Sequence, residues 1–307
     1  MSTRLVVSVP DAYLAEALND LDESVEVLDW RLDAPSPRES IDIVVPRYMA
    51  PLSQFEYLRD VRTRLVQFQS IGYDGVAAVL SPGTVFANAT SVHETSTAEL
   101  ALALILASQR GLDDYVRAGE RGRWAPDVRQ SLADSTVLLV GYGGVGRAID
   151  QRLAPFEVNV VRVARRARDE DGVEVHGWDE LSTLLVNCDV VVLSLPLNDA
   201  THHLVDSTFL ARLRDGALLV NVGRGAVVKT EDLVSEARSG RIRVALDVVE
   251  PEPLPDHHPL FALTNVLVSP HVGGATSAMR PRMARLLRTQ VQRLQRGEEP
   301  INVVLRT

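Results

Sequence analysis

Apolar runs of four to six residues, rich in valine, recur along the chain and alternate with stretches whose apolar residues fall at helical spacing. That alternation predicts an α/β protein, with a parallel sheet covered by helices. In the first part of the chain, strands are expected at Leu5 to Val9, Val25 to Leu28, Ile41 to Val45 and Leu65 to Gln67, with an amphipathic helix around Tyr13 to Leu18. Ser96 to Gln109 is strongly helical and nearly all apolar, hence buried on most sides, and a second series of strands follows it. These are Val137 to Val140, Val158 to Val163, Val190 to Ser194, Ala217 to Asn221, Val244 to Leu246 and Val266 to Ser269. Ala278 to Arg296 then reads as an arginine-rich helix, and Ile301 to Leu305 as a last strand returning to the first domain. There is no internal repeat or low-complexity tract.

A chain of 307 residues is long enough for about two domains. The expected division is residues 1–94, completed by 275–307, and a continuous domain over 95–274. Both crossings are then helical, and a hinge there closes a cleft and excludes water. Hydrophobic residues at 46% and charged residues at 24% exclude a disordered or fibrous chain. The single cysteine, Cys188, excludes an intramolecular disulfide and a cysteine-rich zinc site, as expected in a reducing cytoplasm. Met1 to Pro10 holds too few apolar residues for an export signal. The longest apolar run, Leu100 to Ala107, is far shorter than the roughly 20 residues that span a bilayer. A formal charge of −9 argues against nucleic acid as the main partner, although local basic clusters can still bind a small anion.

The sharpest motif is Gly141-Tyr142-Gly143-Gly144-Val145-Gly146, directly after a predicted strand and opening a helix that continues through Ile149 and Leu153. It fits a dinucleotide fingerprint, with glycines for the tight turn, for backbone approach to a pyrophosphate and for helix–strand packing. An ordinary glycine turn, another nucleotide or a methyl-donor cofactor would also fit this motif. The ends of the later strands narrow the choice, because ligands in open α/β sheets bind beyond the carboxyl ends of strands. There stand Leu195-Pro196-Leu197, Val222-Gly223-Arg224-Gly225, Asp247 to Pro253, and Pro270-His271-Val272-Gly273-Gly274. Together they bring an arginine, carboxylates and a histidine to one crevice. Such a set suits hydride transfer at a 2-oxo or 2-hydroxy acid: arginine binds a carboxylate or polarises a carbonyl, histidine exchanges the hydroxyl proton, and a carboxylate holds the imidazole. Taken singly, Arg224 could pair on the surface, His271 could cap a helix and Glu252 could sit in an exposed proline-rich turn.

Over nearly its whole length the chain closely resembles the D-isomer-specific 2-hydroxyacid dehydrogenases, which include glyoxylate/hydroxypyruvate reductases, phosphoglycerate dehydrogenases, D-lactate dehydrogenases and formate dehydrogenase. The resemblance rests on Gly141 to Gly146, Leu195-Pro196-Leu197 to Thr201, Asn221 to Gly225, Ala245-Leu246-Asp247 to Glu252-Pro253-Leu254, and Ser269-Pro270-His271-Val272-Gly273-Gly274-Ala275-Thr276. It implies a Rossmann-type doubly wound parallel sheet plus a smaller flavodoxin-like substrate domain. By the same resemblance Arg224 binds substrate, Glu252 pairs with His271, and His271 is the acid/base. Gly141, Gly143, Gly144, Val145, Gly146, Leu195, Pro196, Thr201, Val222, Gly223, Asp247 and Gly273 line the cofactor, alongside Arg224 and His271, and Asp247 contacts the nicotinamide amide. Ser70-Ile71-Gly72-Tyr73-Asp74 looks like the family's substrate loop, with Ile71 and Gly72 holding the carboxylate. A homodimer through Ser96 to Gln109 and its neighbours is expected on the same ground.

Cofactor choice follows from the end of the second strand. The family's usual acidic position, 23 residues past Gly141, is Ala164, followed by Arg165, Arg166 and Arg168. Without a carboxylate to repel a 2′-phosphate, NADP is expected, with NAD the alternative. Arg165 and Arg166 are the expected phosphate ligands and Arg162 faces away on the strand, although a merely solvated basic turn would read the same.

His202-His203 and His257-His258 invite a metal reading, but neighbouring side chains rarely converge on one ion without further ligands at suitable spacing, so no metal is expected. His93 suits capping or packing, and Cys188 has no basic neighbour to activate it. The pocket floor is expected to draw on Arg47, Tyr48 and Met49. The leading reading is thus an NAD(P)-dependent reductase of a small 2-oxo acid, of glyoxylate or hydroxypyruvate type. The alternatives are a dinucleotide-sensing, corepressor-like binding protein and a phosphoglycerate dehydrogenase-like enzyme. The chain ends soon after the returning segment, without room for the extra regulatory domain of longer phosphoglycerate dehydrogenases. A methyl-donor transferase would leave the arginine and histidine without roles.

Overall fold

Valine is stiff at χ1 and packs well on a pleated surface, and the valine-rich runs of this chain form the strands of two sheets. A computed structural model describes residues 4–21 and 23–307. Met1 to Thr3, part of the stretch read for an export signal, lie outside them. In chain order the first elements are β1 (Leu5–Val9), α1 (Ala12–Glu16), β2 (Val25–Asp29), β3 (Ile43–Val44), β4 (Leu65–Gln67) and β5 (Val85–Ala87). Next come α2 (Glu94–Arg110), α3 (Leu112–Glu120), β6 (Thr136–Val140), α4 (Gly144–Leu153), β7 (Asn159–Val163), β8 (Arg168–Glu170) and β9 (Val173–Val175). The chain continues through α5 (Leu181–Leu184), β10 (Val190–Leu193), α6 (Ser207–Leu210), β11 (Leu218–Asn221), α7 (Thr230–Arg238) and β12 (Arg243–Leu246). It closes with β13 (Val266–Val268), α8 (Met279–Gln295) and β14 (Val303–Arg306).

The chain divides into two units, Met1–His93 with Gly274–Thr307, and Glu94–Gly273. In the first, the sheet order is β2-β1-β3-β4-β5-β14, parallel except for the antiparallel edge strand β14. One face is covered by α1 and α8, where Leu14 and Leu18 meet Met283, Leu287 and Val291. The other face buries Trp30, Phe55, Phe68 and Phe86. The expected strand over 41–45 shrinks to Ile43–Val44, and the last strand starts at Val303 rather than at Ile301. Ile301 is diverted because its N–H donates to Gln290 Oε1 (3.0 Å) while its carbonyl accepts from Gln290 Nε2 (2.8 Å).

In the second unit the order is β7-β6-β10-β11-β12-β13, all parallel. Side chains of β6 and β10 alternate between two cores: Leu138, Val140, Val191 and Leu193 lie on one face, Val137, Leu139, Val190 and Val192 on the other. A strand buried on both faces reads as a continuous apolar run, which explains the pattern in the sequence. Beyond β7 the next strand is reduced to one parallel bridge, Val163 to His176, with the β8–β9 hairpin in the connection before it. Counting that bridge as the third strand gives the order 3-2-1-4-5-6-7, the 3-2-1-4-5-6 order of a doubly wound dinucleotide fold with one further parallel strand, reversing between β6 and β10. The residues that follow those two strands therefore sit where such folds bind ligands.

Candidate active site

β6 ends at Val140, and α4 opens at Gly144 with Gly143 at its N-cap and no side chain capping it. A Cβ on Gly146 would lie 2.2 Å from the Gly141 carbonyl oxygen, so only glycine lets α4 start this close to β6. At Gly143 a Cβ would meet nothing within 4 Å, leaving an open cradle over uncapped helix amides. This combination fits the pyrophosphate of a dinucleotide. Ser194 Oγ donates to Gly141 O (2.7 Å), tying the ends of β10 and β6 together at the switch point.

A charged network braces the loop from below. Tyr142 donates to Asp150 (2.6 Å), and the same carboxylate accepts both arms of Arg162 (2.7 and 2.9 Å), which directs Arg162 toward α4. Arg168 donates to the Tyr142 carbonyl (3.0 Å) and pairs with Glu170. Arg147 on α4 also pairs with Glu170, and that bond first, then Arg168, holds the Glu170 carboxyl down at about 2. Arg165 and Arg166, on the bend just past β7, are exposed and make no hydrogen bond or ion pair among the described residues.

The catalytic candidates converge at the ends of β11, β12 and β13. Asn221 brackets the next turn, accepting from the Gly223 N–H (3.0 Å) and donating to the Arg224 carbonyl (2.9 Å). A Cβ at Gly225 would fall 1.8 Å from Val249 O, so the Arg224 turn lies backbone to backbone on the segment that leads to Glu252. Asp247 is buried, and its carboxylate accepts from Ser269 Oγ (2.7 Å) and the N–H groups of Val272 and Gly273 (both 2.9 Å). Its carbonyl accepts the His271 N–H (2.8 Å). Thus fixed, His271 takes the left-handed conformation (φ 52°) and sets Nδ1 2.5 Å from Glu252 Oε1. Nε2 is left as the ring nitrogen facing outward.

Two residues expected to contact the cofactor also hold loops of the site in place. Asp247 spends its carboxylate on the 269–273 loop. Thr201, also buried, donates its hydroxyl to Pro196 O (2.7 Å) and accepts from Asn198 N–H (2.8 Å), so it pins the loop of Leu195 and Pro196. Both therefore brace the loops of the site. Asn221 and Ser269 fall within the motifs that carry the resemblance but have no role assigned to them there, and Asp150 does not stand out in the sequence; the signal available is a polar residue at the end of, or packed against, an apolar strand.

In the other unit, the loop 70–74 follows β4, with the Ile71 carbonyl held by Asn88 Nδ2 (2.8 Å). Arg47 and Met49 are exposed past β3, and Tyr48 stacks on His93 with ring centroids 5.5 Å apart. His93 is buried, with Nε2 2.6 Å from Gln69 O and Nδ1 3.2 Å from Gly274 O, so it packs between loops rather than capping a helix. Elsewhere in the Glu94–Gly273 unit, His258 accepts from Leu260 N–H (3.4 Å) and His257 is exposed. Burial pushes the Cys188 thiol up to about 11.

Residues 102–273 match the family model for the NAD binding domain of D-isomer specific 2-hydroxyacid dehydrogenases. A glyoxylate reductase of Pyrococcus furiosus is 31% identical over 97% of this chain and 94% of its own length. A D-isomer specific 2-hydroxyacid dehydrogenase from Xanthobacter autotrophicus Py2, solved with NADPH and MES, superposes with a TM-score of 0.83 at 28% identity, covering 99% of this chain and 98% of that one. An NADPH-dependent glyoxylate/hydroxypyruvate reductase from Sinorhizobium meliloti, solved with NADP and sulfate, gives a TM-score of 0.82 at 25% identity over 97% of each chain. The chain belongs to the D-isomer specific 2-hydroxyacid dehydrogenase family, and it is an NAD(P)-dependent oxidoreductase.

Proposed function

We propose that this enzyme reduces a small 2-oxo acid of the glyoxylate or hydroxypyruvate type to the D-2-hydroxy acid, with NADPH preferred to NADH. The observation that carries the reading is the 2.5 Å Glu252–His271 pair, on the same sheet edge as Arg224 and the glycine cradle. A sensing protein would need the cradle but not this pair. When bound, the nicotinamide supplies the hydride that reduces the carbonyl carbon. Arg224 binds the substrate through its guanidinium fork and polarises the carbonyl. His271, oriented through Nδ1 by Glu252, delivers a proton from Nε2 to the carbonyl oxygen, and in the reverse direction takes it back. Ile71 and Gly72 offer backbone amides to the substrate carboxylate, as the family resemblance implies.

NADPH preference is supported by the two unpartnered arginines beyond β7, at the position where an NAD enzyme carries a carboxylate. The relatives from X. autotrophicus and S. meliloti that hold NADPH or NADP support it too. Among the described residues no helix is long and apolar enough to cross a membrane, and the one buried cysteine fits a reducing cytoplasm. The enzyme acts as a homodimer. Apolar side chains exposed on α3 and just after it, rather than the buried face of α2, offer the contact.

The test is a panel of 2-oxo acids assayed with NADPH and NADH in parallel. We expect higher kcat/KM with NADPH, and in Arg165→Ala/Arg166→Ala a KM for NADPH raised about 10- to 100-fold with NADH use unchanged. Equal or tighter use of NADH by the wild type, with no change in the double variant, overturns the cofactor assignment. No turnover with any 2-oxo acid overturns the enzyme reading.

A further inference from the structure

We propose that His202, His203 and Glu250 form a surface site for a divalent transition metal of the zinc class, on residues that the reduction does not use. Spacing along the chain offers two adjacent histidines and no third ligand. The fold supplies it from 47 positions away. The His203 N–H donates to Ala226 O (2.8 Å), and Val205 bridges Val228, which fixes the histidine segment against the 225–228 turn. Gly225 in that turn lies on the Val249 backbone, so Glu250 emerges beside His203, with Oε2 2.6 Å from Nε2. The Glu250 carbonyl accepts from Thr230 Oγ1, which anchors its backbone while the carboxylate remains on the surface.

The donor set matches the metal. The imidazoles of His202 and His203 stack at 3.9 Å with a 27° tilt, and one ligand atom from each of the three residues lies within 4.8 Å of the others. Tetrahedral zinc takes nitrogen and oxygen at about 2.0–2.2 Å, so its ligand atoms sit roughly 3.3 Å apart. His203 Nε2 and Glu250 Oε2, 2.6 Å apart as a hydrogen-bonded pair, would separate slightly to take the ion between them, a change within the reach of their rotamers. Two imidazoles with one carboxylate suit zinc and its neighbours rather than magnesium or calcium. His202 is exposed and the other two are half-buried, leaving the fourth position to water. Lys229, the neighbouring cation, is engaged with Asp232 at 3.3 Å. His203 is also held at φ 52°, a conformation that a residue with a Cβ rarely keeps without a reason. Because Glu250 and Glu252 flank Pro251, a metal here would tether the segment that carries the histidine's partner. Its role is to stabilise that segment, not to take part in the reaction.

The experiment uses tag-free, chelator-stripped protein titrated with Zn2+ against a chromophoric competitor. It should bind about one Zn2+ per chain with micromolar or tighter affinity, and its Tm should rise by several degrees at saturating metal. Co2+ in its place should give the visible absorption of a four-coordinate ion. His202→Ala, at an exposed position that leaves the His203–Glu250 pair intact, and Glu250→Gln should each weaken Zn2+ binding at least about tenfold, with activity in the absence of metal unchanged. Should Glu250→Gln lower the metal-free Tm, His202→Ala alone decides. Less than about half an equivalent bound by the wild type, or affinity unchanged in His202→Ala, overturns the proposal.

Discussion

The Glu252 carboxylate holds the His271 ring through Nδ1, and in the proposed mechanism the other ring nitrogen transfers the proton. Replacing His271 with alanine should cut turnover about 10²-fold or more while leaving NADPH affinity, measured by fluorescence titration, unchanged. Glu252→Gln should be milder, because an amide oxygen can still accept from Nδ1. Arg224→Ala should act mainly on the KM for the 2-oxo acid. Near-normal turnover in His271→Ala would remove the proposed mechanism. Cys188 offers a check on the fold itself. Its thiol is pushed up to about 11 by burial, and it donates to Leu184 O (3.0 Å). The folded state therefore keeps the proton where an unfolded chain, ionising near 8.5, has lost it, so this residue's contribution to stability falls as pH rises from about 8.5 toward 11. A thiol reagent at pH 8 should find no reactive cysteine until denaturant is added. In Cys188→Ala the decline of Tm over that alkaline range should be shallower.

Among the elements, the polar residues buried inside apolar ones make the sharpest prediction. Gln290 of α8 is fully buried, donates to Gln67 Oε1 of β4 (2.7 Å), and holds both backbone groups of Ile301. Gln290→Leu would strand those partners and should cost about 3 kcal/mol, read as an earlier urea transition. A change below about 0.5 kcal/mol would mean that water replaces the amide. Elements with long apolar runs were legible in the sequence: β1 and β4 fall on their expected bounds, and β6, β10 and β11 within one residue of theirs. What escaped was short or polar. β8 is Arg-Asp-Glu, β5 is three residues long behind Pro82-Gly83, and α3 carries acidic residues in its first turn and buries none of its side chains. For the site, the cradle was legible because its four glycines fall within six consecutive residues, and His271 with Glu252 because both follow strand ends. The bracing roles of Asp247 and Thr201, and the meeting of His203 with Glu250, depend on loops from different strands touching, which no spacing along the chain encodes.

At the scale of the whole molecule, a formal charge of −9 keeps the surface solvated almost everywhere, which makes its apolar exceptions informative. Trp124 and Val128 are each 95% exposed and Val116 61%, with Leu112 and Tyr115 also open to solvent. They are not scattered. Arg129 pairs with Asp114 (3.0 Å) and lies over the Tyr115 ring (5.6 Å), and Tyr115 donates to Asp127 O (3.2 Å), so the segment around Trp124 is fastened to α3. One face of α2 is packed on α4, β11 and β12 within the same unit, while α3, its neighbour, leaves its apolar side chains open. In the homodimer proposed above, a two-fold contact through this patch would bury it on both copies. Val116→Glu/Trp124→Glu places carboxylates in that contact at positions that are mostly exposed in the isolated chain, so Tm measured on dilute protein should change little. In sedimentation equilibrium the wild type should run as a dimer at micromolar concentration and the double variant as a monomer. A wild type that stays monomeric over the whole concentration range, or a variant that remains dimeric, would show that these side chains serve another purpose.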